Sequence, residues 1–170
     1  MKTQDFTQAF LQVIDKEQGI IHKVCNMYRR EVDDRKDLFQ EIVIQLWKAF
    51  PNFRHEAKIT TWMYRIALNT AISDYRKQKK RPETSEISDR ISETFKPEED
   101  TVKEENMQLL YAAIEKLTDV EKAVVMLYLE EHSYEEMADI VGITQNNLRV
   151  KMNRIREKLR KIMNPEKLWN

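Results

Sequence analysis

Apolar residues recur at helical spacing along most of this chain, and no stretch shows a persuasive strand-like alternation. Phe6, Phe10, Ile14, Ile20, Ile21, Val24 and Met27 predict one or two helices over residues 5–30. Leu38, Ile42, Leu46 and Trp47 place a buried stripe on a second helix from Asp34 to Phe50, which Pro51 ends. A third helix is predicted from Thr60 to Lys79, with Trp62, Ile66, Ala67 and Ala71 available for burial. After Pro97 the helical pattern resumes with Met107, Leu110, Ile114 and Leu117. Thr118 and Glu121 then make a capping box that opens the apolar helix KAVVMLYLEE.

The segment from Ser133 to Leu159, SYEEMADIVGITQNNLRVKMNRIREKL, predicts two short capped helices around a glycine turn. Ser133 and Glu136 form a second expected capping box, each side chain satisfying a backbone N–H at the helix start. Met137, Ala138 and Val141 lie at helical spacing, and Gly142 supplies the left-handed geometry that ends the helix. Thr144 is the next N-cap. Behind it Leu148, Met152, Ile155, Leu159 and Ile162 turn inward, leaving Asn146, Val150, Asn153 and Arg154 outward with Arg149 on the flank. From Leu148 to Lys161 there are seven basic residues and one acid, a charge balance suited to phosphates. A basic solvated helix would explain the charge alone. The caps, the turn and the polar N-terminal end together favour a helix-turn-helix, because that end is where base edges are read.

Charge changes the picture of the remainder. The net charge is zero, yet residues 1–81 carry 16 basic and 10 acidic side chains, residues 82–120 carry 4 and 11, and residues 121–170 carry 9 and 8. Neutrality is therefore a cancellation between a basic front, an acidic middle and a locally basic final helix, as expected of two nucleic-acid surfaces separated by an acidic linker. With two glycines, four prolines and 34% charged residues, the composition points to an all-α chain of two small helical domains. The domains are expected at 1–81 and 107–170, joined by an acidic linker at 82–106 that begins at Pro82.

Cys25 is the only cysteine, so an intrachain disulfide is excluded, and its apolar neighbours suit a small core residue. No Cys/His pair has metal-ligand spacing, and no glycine-rich loop could cradle a nucleotide. Neither a cofactor, a small-molecule substrate nor an enzymatic activity is expected. Without a signal peptide or long apolar segment, the expectation is a cytoplasmic protein with no direct membrane insertion.

Two segments carry a resemblance. DLFQEIVIQLWKAFPNFRHEAKITTWMYRIALNTAISDYRKQKKR, Asp37 to Arg81, resembles region 2 of bacterial RNA polymerase sigma factors, and the segment Ser133 to Leu159 resembles region 4. Their order and separation resemble the extracytoplasmic-function group. The resemblance implies that region 2 binds the clamp helices of the polymerase β′ subunit and melts the promoter −10 element, while region 4 reads the −35 element as duplex. It also implies contact with the β flap, and commonly an anti-sigma factor as a further partner.

Carried over residue by residue, Asp37, Leu38, Gln40 and Glu41 match the D-L-x-Q-E motif that meets the clamp; an acidic-polar face beside an exposed leucine suits a partner helix bearing arginines. Phe53 to Tyr64 match the segment that captures a base flipped from the −10 strand. Its candidates are Phe53, Arg54, Lys58, Thr61 and Arg65, followed by Asn69, Thr70, Ser73, Arg76 and Lys77. Phe53, Trp62, Tyr64 and Tyr75 lie among these cations, and stacking contributes about 1–3 kcal/mol per base. Trp62 itself is expected in the core. For the −35 duplex the candidates are Thr144, Gln145, Asn146, Arg149, Val150, Asn153 and Arg154.

Two departures stand out. In the F-R-G-E-x-x-F-R-T-W form, His55 replaces the glycine and Thr60 the arginine before Thr61. In region 4 the frequent V-K-S-R is Leu148-Arg149-Val150-Lys151, which sets an apolar Val150 outward where it could touch a thymine methyl. The acidic linker would either occupy a nucleic-acid channel of the polymerase or serve as a solvated tether. Two rival readings remain: a stand-alone helix-turn-helix regulator, which leaves the aromatic-basic N-terminal half unexplained, and a sigma-like decoy that binds polymerase without opening promoters.

Overall fold

The computed structural model describes residues 3–79 and 101–164, and within them every regular element is helical. Helix α1 spans Thr3–Tyr28, α2 Val32–Ala49 and α3 Ile59–Lys79, with a 3-10 turn at Phe50–Asn52. The C-terminal half contains α4 (Thr101–Glu115), α5 (Asp119–Leu129), α6 (Tyr134–Val141) and α7 (Gln145–Met163). Residues 80–100, which hold most of the expected linker, lie outside the described residues, and α4 begins within the stretch assigned to it.

The long α1 is continuous but kinks at Glu17, whose φ of −112° and ψ of 15° leave the helical region. Beyond the kink, Ile20, Ile21, Val24, Cys25 and Tyr28 form the inward stripe. They meet Leu38, Ile42 and Leu46 of α2 and Met63, Ala67, Leu68 and Ala71 of α3, all buried. Ala67 and Ala71 keep α3 close to its neighbours because neither projects beyond Cβ. Cys25 is buried in this core, and burial pushes its thiol up to about 11.

Two expectations for α2 are corrected. Leu38, placed in the buried stripe by its spacing but set outward beside the acids by the motif match, is only 1% exposed, because the 38–42–46 stripe turns fully toward α1 and α3. Trp47, taken as buried, is 39% exposed. It stands a further 100° around the helix from Leu46 and is covered from one side by the Phe6 and Phe10 rings, at 5.5 and 5.0 Å.

Arg29, just past the end of α1, is tied to α3 by an ion pair that the linear pattern did not reveal. Arg29 is buried and its guanidinium binds the Asp74 carboxylate, while Arg35 Nε donates to the Arg29 carbonyl at 3.0 Å. Removing the acid would strand a buried cation, the costly half of such a pair.

In the C-terminal half, Thr118 and Glu121 complete their capping box: Thr118 N donates to Glu121 Oε1 at 3.0 Å, and Glu121 N to Thr118 Oγ1 at 3.3 Å. Ser133 and Glu136 make only half of theirs. Glu136 N donates to Ser133 Oγ at 3.1 Å, but the Glu136 carboxylate turns outward to Lys58 and His132. Gly142 closes α6 at φ 80°, and its N–H and that of Ile143 donate to the Ala138 carbonyl at 2.8 and 3.2 Å. Thr144 caps α7 by accepting from Asn147 N at 3.2 Å.

A pair of alanine substitutions separates the roles of the two glycines. Open space surrounds both, so only backbone conformation distinguishes them. Gly142→Ala should destabilise the fold by about 1 kcal/mol through left-handed strain, whereas Gly19→Ala inside α1 should stabilise it by about 0.5–1 kcal/mol. Urea denaturation of the two variants against the parent measures both.

Candidate nucleic-acid interface

Helix α2 presents two distinct faces. Asp37, Glu41 and Gln45 line a polar cleft against α3, where Asn69, Thr70, Ser73 and Lys77 form the opposite wall; its volume is about 670 Å³. Gln45 Nε2 donates to Glu41 Oε1 at 2.9 Å, which orients that carboxylate along the cleft. The motif acids and the polar residues of α3 are therefore brought to one groove. Gln40 points away from it, on the same outer stripe as Ile44 and Trp47, which are 45% and 39% exposed. Ile44 was missed by sequence reasoning; an apolar residue off the 38–42–46 stripe, at i+4 from Gln40, was the available signal.

The loop after α2 is organised by rings. Phe53 is half-buried, with His55 and Trp62 centred 4.5 and 5.0 Å away, and Trp62 also meets Phe50 at 6.2 Å. Trp62 is partly buried, so it shares core and surface roles. His55, which stands where the motif has glycine, adopts φ 59°. The loop thus retains the left-handed turn that glycine favours, with the ring held against Phe53 in return. Arg54 and Lys58 are exposed on this loop.

On α3 the polar candidates fan around roughly 140° of the helix, from Arg65 and Arg76 through Asn69 and Ser73 to Lys77 and Thr70. Three of the expected groups are not presented as anticipated. Thr61 is buried at the start of α3. Thr70 Oγ1 donates back to the Ile66 carbonyl at 2.7 Å, leaving its acceptor lone pairs for another group. Tyr64, counted among the stacking aromatics, is buried with its ring edge-on to His132 at 4.9 Å. The burial of Tyr64 comes from the C-terminal half, which packs α5 and α6 onto α3; Tyr28 Oη also donates across this boundary, to the Asp119 carbonyl at 2.6 Å.

The recognition surface on α7 is open. Gln145, Asn146, Arg149, Asn153 and Arg154 are exposed, as is the N-cap Thr144, and Val150 is 48% exposed among them. Leu148, Met152 and Ile155 bury the opposite side. Two arginines are braced from α5 and α6. Arg149 lies 5.9 Å over the Tyr134 ring and donates to Asn146 Oδ1 at 3.4 Å. Arg156 donates to Tyr134 Oη at 3.3 Å and lies 5.5 Å over the Tyr128 ring. Lys158 on the inner flank bonds Glu121 Oε1 at 2.9 Å, joining the start of α5 to α7.

Helices that bury one face and set a capped, basic, outward-polar α7 behind a glycine turn define a helix-turn-helix DNA-binding protein. Comparison with known proteins narrows this class. The family model for Sigma-70 region 2 matches residues 13–81, and that for Sigma-70 region 4 matches residues 107–159. The ECF RNA polymerase sigma-E factor of Escherichia coli K12 is 33% identical, over 80% of this chain and 78% of its own length. The RNA polymerase sigma-H factor of Pseudomonas aeruginosa is 28% identical, over 85% and 82%. The fold is shared with CnrH, solved with the cytosolic domain of CnrY (TM-score 0.65, 17% identity, 94% of this chain and 90% of that one). It is shared too with Bartonella quintana RpoE, solved with the anti-sigma factor NepR (TM-score 0.64, 19% identity, 96% and 99%).

The chain belongs to the extracytoplasmic-function group of RNA polymerase sigma factors. It is a non-enzymatic subunit that binds core polymerase and directs promoter-specific transcription initiation. No helix among the described residues is long and apolar enough to cross a membrane.

The Glu121 carboxylate links site and stability. Burial, the largest single influence, pushes its pKa up, but hydrogen bonds from Lys158 and Thr118 outweigh burial and hold it below the usual carboxylate range. A carboxylate lowered on folding stabilises above its unfolded pKa, and that contribution disappears as pH falls through the folded value. Glu121→Gln should therefore melt below the parent at neutral pH, and the gap should close on acidification; melting curves across pH 7 to about 3 measure it.

Proposed function

We propose that the two halves divide promoter recognition: residues 1–81 dock on core polymerase and capture the −10 strand, and residues 107–170 read the −35 duplex while meeting the β flap. Residues 82–106 connect them. The observation that carries this reading is the cleft between α2 and α3, which sets Asp37 and Glu41 beside Asn69, Thr70, Ser73 and Lys77. A clamp helix seated along α2 would bring the polymerase to the same groove that the displaced strand enters. Gln40, Ile44 and Trp47 extend the docking face, with the polar residue flanked by apolar contact area. Leu38 acts from beneath, by fixing α2 against the core.

Strand capture follows from balance. Unstacking a duplex step costs a few kcal/mol, and a protein without ATP offsets it only by binding the exposed strand better than the duplex. Phe53 and Trp62 supply ring surface beside Arg54 and Lys58, and Asn69 and Ser73 supply polar contacts further along α3. At the other end, Arg149, Asn153, Arg154 and the N-terminal residues Thr144, Gln145 and Asn146 face the major groove, with Val150 against a thymine methyl. A cytoplasmic location follows from this work at the promoter. An anti-sigma partner is proposed by likeness to RpoE, which was solved with NepR.

Glu41→Lys tests the docking face. It should weaken core binding in a pull-down with purified polymerase while leaving duplex −35 binding by the same protein unchanged; intact core binding would remove Glu41 from the interface. Arg149→Ala tests the reading helix: a loss of about 1–3 kcal/mol concentrated at particular base positions marks base readout, and a uniform loss marks a phosphate contact.

A further inference from the structure

Two cations of α7 are held differently from those elsewhere in the chain. Lys23, Arg30, Lys58, Arg76 and Lys158 each meet a carboxylate, at distances from 2.5 to 3.4 Å. Arg149 and Arg156 meet tyrosines instead. The Arg149 guanidinium lies 5.9 Å over the Tyr134 ring, and Arg156 donates to Tyr134 Oη at 3.3 Å while lying 5.5 Å over the Tyr128 ring. Both arginines are exposed, and among the described residues neither is ion-paired. A tyrosine steadies a guanidinium without neutralising it, so the charge and the remaining N–H donors stay available to a planar or anionic acceptor.

The turn between α5 and α6 brings the two tyrosines together. Glu131 takes a left-handed φ of 63°, its N–H donating to the Tyr128 carbonyl at 3.0 Å and that of His132 to the Leu127 carbonyl at 3.2 Å. Tyr134 follows the Ser133 N-cap and packs half-buried against the core, which anchors the ring that α7 meets. Arg149 and Arg156 are seven residues apart, so they stand on one stripe of α7 about 10 Å apart along its axis, and Tyr134 serves both. In a helix whose N-terminal end enters the major groove, the nearer position reaches base edges and the position two turns on meets the backbone.

We propose that Tyr134 is a positioning residue for both arginines: its ring steadies Arg149 at the base edges, and its hydroxyl, with the Tyr128 ring, holds Arg156 as an anchor on a backbone phosphate of the −35 duplex. This rests on the reading of that duplex by α7 proposed above. A phosphate contact fixes register and a base contact fixes sequence, so one rigid ring between the two sets the reading arginine in register with the anchor.

The test uses holoenzyme reconstituted from core polymerase and the full chain. Its probes are the duplex that the parent holoenzyme selects from a randomised pool and the single-base variants of that duplex. Arg156→Ala should lower affinity on the order of tenfold on every variant alike, and reduce the slope of log affinity against log salt by about 1. Arg156→Lys, which keeps the charge but not the planar fork, should keep the slope and lose part of the affinity. Tyr134→Phe removes only the hydroxyl. It should weaken binding about threefold in the parent and not at all once Arg156 is alanine, a dependence that a merely structural role would not produce. Tyr134→Leu should also flatten preference at the base pairs that Arg149→Ala flattens. An unchanged salt slope in Arg156→Ala would overturn the phosphate anchor, and an equal loss from Tyr134→Phe with and without Arg156 would overturn the positioning role of the hydroxyl. Preference left intact by Tyr134→Leu, where Arg149→Ala abolishes it, would overturn the role of the ring. A uniform loss from Arg149→Ala would instead remove the base-reading assignment itself, and the slope in Arg156→Ala would still decide the anchor.

Discussion

Helix α3 is the constraint on which the rest of the molecule depends. One side of it, Met63, Ala67, Leu68 and Ala71, must close the core against α1 and α2, and the two alanines hold the backbones near enough for Leu38, Ile42 and Leu46 to interlock. That leaves a polar sector which can be neither buried nor made apolar without losing its use. The same helix fixes the cleft on one flank through Asn69, Ser73 and Lys77, and meets the C-terminal half on the other through Arg65 and Arg76. The placement of the cleft, and with it of the proposed docking and strand-capture groups, and the contact between the halves all follow from how α3 is rotated in the core. The Arg29–Asp74 pair helps set that rotation, since it locks the end of α1 to the polar edge of α3.

Electrostatics and packing act at different strengths in this fold. The apolar cluster is continuous from α1 to α7, and burial of its side chains is the large stabilising term. The charged contacts between the halves are individually weak where both partners are exposed, and they flank apolar packing that crosses the same boundary. On the recognition helix two arginines, Arg149 and Arg156, are braced by Tyr134 and Tyr128, which favours one orientation before DNA arrives.

Local signals in the sequence were read well. Thr118, Ser133 and Thr144 cap the helices they were expected to cap, and Gly142 takes the left-handed turn, because each outcome depends on residues within a single turn. The all-α class and the outward face of α7 followed from helical spacing in the same way. Where the reading missed, a distant helix decided. Trp47 emerges because Phe6 and Phe10 approach from one side only. Tyr64 disappears because His132, in the turn between α5 and α6, packs on its ring, and Glu136 leaves its capping box for Lys58 and His132. The burial of Leu38 was legible from its stripe, and only the motif match had set it outward beside the acids. The cleft shared by α2 and α3 was not legible at all, since it depends on which faces the tertiary fold sets opposite one another.

The most direct measurement of the central claim is transcription by core RNA polymerase reconstituted with this protein, with the starts mapped over a genomic template. The account requires new starts that depend on the protein and share two upstream elements about two helical turns apart, since spacing between duplex contacts follows a repeat of roughly ten base pairs. Stable association with core polymerase and no new starts would contradict it, and would leave a polymerase-binding protein that cannot open promoters.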